Sequence, residues 1–193
     1  MAKFNKIYTV SVDPDKYLLL QETVFEQSLQ LTEDELLLFD GKEKGERWRT
    51  LGVEWLMTPE DAALKKPDIA GLGSSTLCVS AHTAELLGEG LKNACEFLPL
   101  NLNGETWFAL NILGVEDAID ESQTQWNMRN GKVSRVRRFN RLVLNKQAIE
   151  RPGLFRVNRA GLFTFTTDGK GSLYDIAQKH HLTGLVFSEV DAV

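Results

Sequence analysis

The sequence predicts an α+β domain, a mostly antiparallel sheet carrying two or three helices. Three observations predict it. Asn-Gly pairs at 103–104 and 130–131 stand between strand-like runs, a strong short-range hairpin signal. Ser80 and Ser172 each precede a stretch with apolar residues at helical spacing. No fixed-period repeat is present, so the sheet is assembled from short, separately specified strands.

The elements follow in order. Lys6–Ser11 (KIYTVS) reads as a first strand, ended by Asp13-Pro14. Residues 16–31 have scattered apolar positions and read as a loop with a short helix. Thr32-Glu33-Asp34-Glu35 is a capping-box pattern opening a short helix into Leu36–Leu38, with Asp40-Gly41 as its turn. GKEKGER is polar and glycine-punctuated, an exposed loop. Trp48–Met57 is a strand with Val53 and Trp55 on one face; 59–73 is loop with at most one helical turn. Ser75–Ser80 is a short buried strand, and Ser80 caps a helix through Leu91 with Ala84, Leu87 and Leu91 on one stripe.

The stretch Cys95–Leu113 is the best-defined piece. A two-residue turn at Asn103-Gly104 sets Leu98 opposite Ala109 and Leu100 opposite Trp107, splitting the large apolar residues between faces. A three-residue loop, 102–104, instead pairs Leu98 with Phe108 and gathers Leu98, Leu100, Phe108, Leu110 and Ile112 on one face. The second register is the one expected. Pro99 lacks an N–H, which favours an edge strand or an outward-turned position. Glu116, Asp117, Asp120 and Glu121 form an acidic connector, and Asn130-Gly131 leads into a long basic strand, KVSRVRRFNRLVL. Strands follow at 154–157 and 162–166, the second with Phe163 and Phe165 on one face. Ser172 with Asp175 three positions on caps a helix whose Leu173, Ile176, Ala177 and His180 share a face. Gly184 stops it, and Leu185–Phe187 is a last strand.

Length and composition bound the rest. With 193 residues, 42% hydrophobic and 25% charged, the chain supports one folded domain over 1–193, within which 1–72 is the segment able to form a small N-terminal lobe. Two cysteines make no disulfide framework, the N-terminus does not resemble a signal peptide, and no apolar run approaches a membrane span, so a cytoplasmic protein is expected. The net charge of −5 is divided: residues 1–128 sum to −12 and residues 129–193 to +7. Such asymmetry suits one surface to a basic partner and another to an acidic one, unless the two regions neutralise each other.

The residues offer no established catalytic constellation. His82, His180 and His181 have no metal-ligand spacing, so neither metal nor cofactor is expected. Gly71-Leu72-Gly73-Ser74-Ser75 has the wrong serine spacing for a nucleophile elbow and no lysine for a phosphate cradle. Cys78 and Cys95 lie in apolar runs and read as core residues. Arg135, Arg137 and Arg141 alternate on one strand face around Phe139. That pattern is able to bind single strands, but the chain is acidic overall and carries no nucleic-acid motif. We read it as a solvated strand paired against 116–121, with no nucleic acid bound. The acidic set Glu33, Asp34, Glu35, Asp40, Glu43 and Glu46, and after it Asp117, Asp120 and Glu121, is the candidate docking surface for a basic protein.

One pattern reaches further. In order come an N-terminal strand, LLLFDG, WRTLGVEW, a PD pair, STLCVSAHTAELL, EFLPLNLNGETWFALNI, LFRVN and TTDGKGSLYDIAQKHHLTGLVF. From about Lys6 to Val190 this resembles the immunity proteins of bacterial polymorphic toxin systems, in a family long catalogued as a domain of unknown function. The resemblance implies a non-enzymatic inhibitor that covers a cognate toxin domain, with no catalytic residues to carry over. In the cytosol that toxin is expected to be a nuclease, whose basic surface an acidic inhibitor fits. The alternative is an enzyme with a carboxylate-lined cleft.

Overall fold

A computed structural model of the chain describes residues 4–23, 41–73 and 75–193. In chain order its strands and helices are β1 (Ile7–Val12), β2 (Leu19–Glu22), β3 (Leu51–Leu56), β4 (Ile69–Leu72), β5 (Thr76–Ser80), α1 (Ala81–Leu91), β6 (Cys95–Leu102), β7 (Glu105–Ile112) and β8 (Val115–Glu116). Then come β9 (Gln125–Trp126), β10 (Met128–Arg129), β11 (Lys132–Val133), β12 (Phe139–Arg141), β13 (Val143–Leu144), β14 (Phe155–Val157), β15 (Thr164–Thr167), α2 (Leu173–His180) and β16 (Leu185–Ala192). Short 3₁₀ turns sit at Gly45–Arg47, Pro59–Ala63 and Lys146–Ala148.

Most of the described strands make two bodies of sheet, and β10-β11 and β12-β9 form separate two-stranded ribbons. Six strands close into a barrel in the order β2-β3-β6-β7-β5-β4, and six others form a sheet in the order β13-β16-β1-β15-β14-β8. Both are mixed. In the barrel β2 runs parallel to β4 and β3 to β6; in the sheet β13 runs parallel to β16 and β8 to β14. The fold is α+β as expected, while "mostly antiparallel" describes it loosely. The described part of the first 72 residues is shared between the bodies, since β1 pairs with β15 and β16 whereas β4 pairs with β5.

Three apolar clusters explain this arrangement. Leu20, Leu51, Val53, Leu72, Cys78, Leu98, Leu100, Leu102 and Trp107 come from barrel strands alone and fill the barrel. Alternate residues of the same strands, among them Ile69, Leu77, Val79, Leu110 and Ile112, point outward. They pack with Leu87 and Leu91 of α1, Leu173 and Ile176 of α2, and Val10 of β1. The far face of the six-stranded sheet buries Ile7, Leu144, Phe155, Val157 and Phe165. Strands β4 and β5 and the second half of β7 are therefore buried on both faces, and the other barrel strands contribute to one core or both along part of their length.

That double burial overturns the expected hairpin register. The turn is the two-residue Asn103-Gly104, with φ of 50° and 93°, and it sets Leu98 opposite Ala109 and Leu100 opposite Trp107. Splitting the large residues between faces costs nothing when each face has its own core. Nor is β6 an edge strand: it lies between β3 and β7. Pro99 sits one residue before the β3 ladder, which starts at Leu51–Leu100, and its carbonyl accepts from Trp48 Nε1 at 2.9 Å.

Several local expectations are met. Ser80 Oγ accepts from Thr83 N at 3.2 Å, and Leu87 and Leu91 are fully buried on α1. Ser172 Oγ accepts from Asp175 N at 3.1 Å, but the Asp175 carboxylate accepts from Gly171 N at 2.8 Å, one residue earlier than a standard box. Helix α2 ends with His181 left-handed (φ 53°), and His180, its stripe's last member, is exposed. Other expectations are corrected. Residues 19–22 and 69–72 are strands, not loop. KVSRVRRFNRLVL is not one strand but three pieces, broken at 134–138 and again at Leu142. Phe163 lies outside β15 and is half exposed, whereas Phe165 is buried. The helix expected at 32–38 lies outside the described residues.

Candidate functional site

The break in the basic strand builds the most distinctive surface of the molecule. Asn130 (φ 50°) and Gly131 (φ 74°) close the β10–β11 hairpin. Beyond it the chain leaves the ladder because Asn127 takes over its polar groups. Asn127 accepts from Ser134 N through its carbonyl, donates its N–H to Arg138 O (both 2.8 Å), and donates Nδ2 to Arg137 O at 2.8 Å. Residues 135–137 are thereby pushed outward over buried Ser134. Val136 is 99% exposed at the apex, an unusual place for a β-branched apolar side chain. Arg135 and Arg137 flank it in solvent, and Arg138 is half-buried beneath.

The floor of this face is an aromatic and ionic cluster. Trp126 of β9 pairs with Phe139 of β12, ring centroids 4.7 Å apart. Arg159, in the left-handed region at φ 65°, lies over the Trp126 ring at 5.5 Å, a cation–π contact. Arg159 also pairs with Glu121, which accepts from Trp126 Nε1 at 3.2 Å. Hydrogen bonds from Arg159 and then from Trp126 hold the Glu121 carboxyl below its ordinary pKa. Arg138 Nη1 donates to Arg159 O at 3.4 Å, joining the bulge to the 159–163 turn, where Leu162 and Phe163 are exposed.

The sequence-predicted site residues fare unevenly. Glu33, Asp34, Glu35 and Asp40 lie outside the described residues. Glu43 and Glu46 are exposed on the loop before β3, beside Lys42, Lys44 and Arg47, so the described part of that loop is not acidic. The loop is held from below: Glu96 accepts from Lys44 N at 2.8 Å and Gly45 N at 3.1 Å, and Asn111 Nδ2 donates to Lys42 O and to Glu96 Oε2. In the connector, Asp117 accepts from Asn158 Nδ2 at 2.9 Å, while Asp120 accepts from Ser122 N, Ser122 Oγ and Gln123 N. Those bonds, from the Ser122 hydroxyl first, lower the Asp120 pKa. Glu116 is not on a connector surface at all. It is buried and accepts from the N–H groups of Glu150 and Arg151.

The three candidate arginines are likewise separated. Arg141 pairs with Asp191 at 2.6 Å, Phe139 is taken by Trp126, and Arg135 and Arg137 stand on the bulge. The acid meeting this region from 116–121 is Glu121, through Arg159; the backbone contact with 118–120 is made by β13. Sequence reasoning missed Trp126, Val136, Arg159 and Leu162, and read Phe163 as a strand residue. A signal was present in RVRRFNR: a lone valine among arginines has no period-2 core partner.

Other chemistry is sparse. Cys78 and Cys95 are buried, and desolvation pushes the Cys95 thiol up to about 12. Among the described residues no group of three His, Cys, Asp or Glu is placed to hold a metal ion. A cleft between the end of α1 and the start of α2 is lined by Glu150 together with Arg151 and Lys170, one acid beside two bases. No described helix is long and apolar enough to cross a membrane. No family model matches the chain, and no curated protein matches it.

Proposed function

We propose that this chain is an immunity-type inhibitor that binds a cognate bacterial toxin domain, a nuclease in the favoured case, and neutralises it by covering its active or substrate-binding surface. The carrying observation is the face built on the 134–138 bulge: open, shallow, charged, and studded with exposed Val136, Leu162 and Phe163. Protein interfaces combine such apolar anchors with a charged rim, whereas small-molecule sites are concave and enclosed. The order of sequence elements, resembling immunity proteins, supports the same reading. The net charge of −5 suits the acidic remainder of the chain to a nuclease's basic surface, while the arginine-bearing face meets a different, acidic part of the partner.

The test is co-expression with the C-terminal domain encoded by the adjacent reading frame. We expect that domain alone to stop growth and this chain to restore it, with a purified complex of about nanomolar affinity or tighter, roughly −12 kcal/mol. A toxic domain left fully active by an excess of the folded chain would end the proposal.

A further inference from the structure

The net charge of the chain is negative, yet the surface around Val136, the most exposed large apolar side chain among the described residues, is positive. Three shallow depressions run together there. One is lined by Arg137, Phe139, Arg141 and Phe163, the next by Arg135, Val136 and Leu162, the third by Trp126, Met128 and Arg159; Arg138 lines all three. Among the described residues no carboxylate lies within ion-pair distance of Arg135, Arg137 or Arg138. The acids at the rim are already engaged: Glu189 with Lys6, Asp191 with Arg141, Glu121 with Arg159. What this face offers a partner is therefore uncompensated positive charge beside bare apolar side chains, with Val136 99%, Leu162 55%, Met128 54% and Phe163 51% exposed.

From this complementarity we propose that the face formed by Arg135–Arg138 with Leu162 and Phe163 docks an acidic protein segment whose carboxylates are interspersed with apolar side chains. The inference rests on reading the chain as a binding protein and names the chemistry of what it binds.

A nucleic acid is the other polyanion to weigh, and the details disfavour it. Binding of single strands uses aromatic faces on which bases stack. Here Trp126 is already against Phe139 and under Arg159, and Phe163 leans edge-on to Phe165 at 6.4 Å. The side chains that project furthest are aliphatic, and Val136 stacks on nothing. Valine, leucine and methionine flanked by arginines instead match an interface in which apolar anchors are buried and arginines grip carboxylates in pairs of hydrogen bonds.

The experiment is selection from a displayed library of random peptides on the intact chain, followed by affinity measurements on the recovered peptides. Two variants address the face at solvent-exposed positions: Val136→Asp and Arg135→Glu. We expect recovered peptides to be rich in Asp and Glu alternating with Leu, Phe or Trp, and to lose about tenfold or more in affinity to either variant. Recovery of neutral or basic peptides, or of none, overturns the proposal. So do acidic peptides indifferent to both substitutions. A single-stranded oligonucleotide that binds more tightly than the peptides and displaces them makes the occupant a nucleic acid. A concentration-dependent dimer in sedimentation, abolished by Val136→Asp, makes it a second copy. The two readings fail separately. A chain that protects cells while its peptides ignore this face loses only the present inference; a chain whose peptides obey it but which protects against no toxin loses only the toxin assignment.

Discussion

Glu96 shows how one side chain positions a whole loop. Its carboxylate receives the N–H groups of Lys44 and Gly45 and the Asn111 amide, and so fixes 42–45 against the barrel. Desolvation works against its charge, but the bonds from Lys44, Asn111 and Gly45 outweigh it, and the pKa falls below the ordinary glutamate value. A depressed carboxylate pKa stabilises the fold fully above the unfolded value, near 4.5, and that contribution disappears as pH falls through the folded pKa. Glu96→Gln is therefore expected to cost roughly 1–3 kcal/mol at pH 7 and to shrink the loss of stability below pH 4.5. Urea unfolding from pH 3 to 7 reads both; a variant with the parent's full acid dependence would remove Glu96 from this role. The residue was legible as one acid in an alternating strand, but nothing in the sequence pairs it with a loop some fifty positions earlier.

At the level of elements, α1 carries two glycines that separate propensity from packing. Both lie within a helix, where alanine is favoured by up to about 1 kcal/mol. A Cβ on Gly88 meets open space, so Gly88→Ala is expected to stabilise by most of that amount. A Cβ on Gly90 would overlap the carbonyl of Gly171 and the Ile176 side chain where α1 meets α2, so Gly90→Ala is expected to destabilise despite its better propensity. Thermal unfolding of the two variants should move in opposite directions. A rise for both would mean that the helices separate freely at this contact. Helix α1 itself was readable from Ser80 and the Leu87–Leu91 stripe, because capping and helical spacing act within a few residues. The closeness of Gly90 to Gly171 was not, since it joins elements eighty residues apart.

For the whole molecule the question is whether barrel and sheet act as one unit. They share a core: Val10 of the sheet packs in the cluster that holds Ile69, Val79 and Leu110 from the outer wall of the barrel, with Leu185 and Phe187 against it. Asp68 accepts from Thr183 N and Oγ1 at 2.8 and 2.7 Å, tying β4 to the turn before β16. A Cβ on Gly184 would run into the Ile69 carbonyl, so the two chains touch backbone to backbone. We expect a single cooperative transition, with far-ultraviolet circular dichroism and tryptophan fluorescence coinciding in denaturant. Trp55 and Trp107 report from the barrel and Trp126 from beyond it. Two separated midpoints would show that the shared cluster contributes little coupling.

What the sequence determined by itself is what short-range chemistry controls. Asn-Gly turns take left-handed φ at 103–104 and 130–131, serine hydroxyls cap helices at Ser80 and Ser172, and helical spacing marks the buried stripes. The tertiary structure alone decided everything that depends on which face is covered. It chose the hairpin register, because each face of β6 and β7 feeds its own apolar cluster; it drew Glu116 inside; and it broke the basic strand so that Asn127 holds its backbone while Val136 meets water. A residue's own neighbours in the chain set its turn and its cap. Whether its side chain sits in a core or on a docking surface is set by segments far away in sequence, whose approach no local pattern encodes.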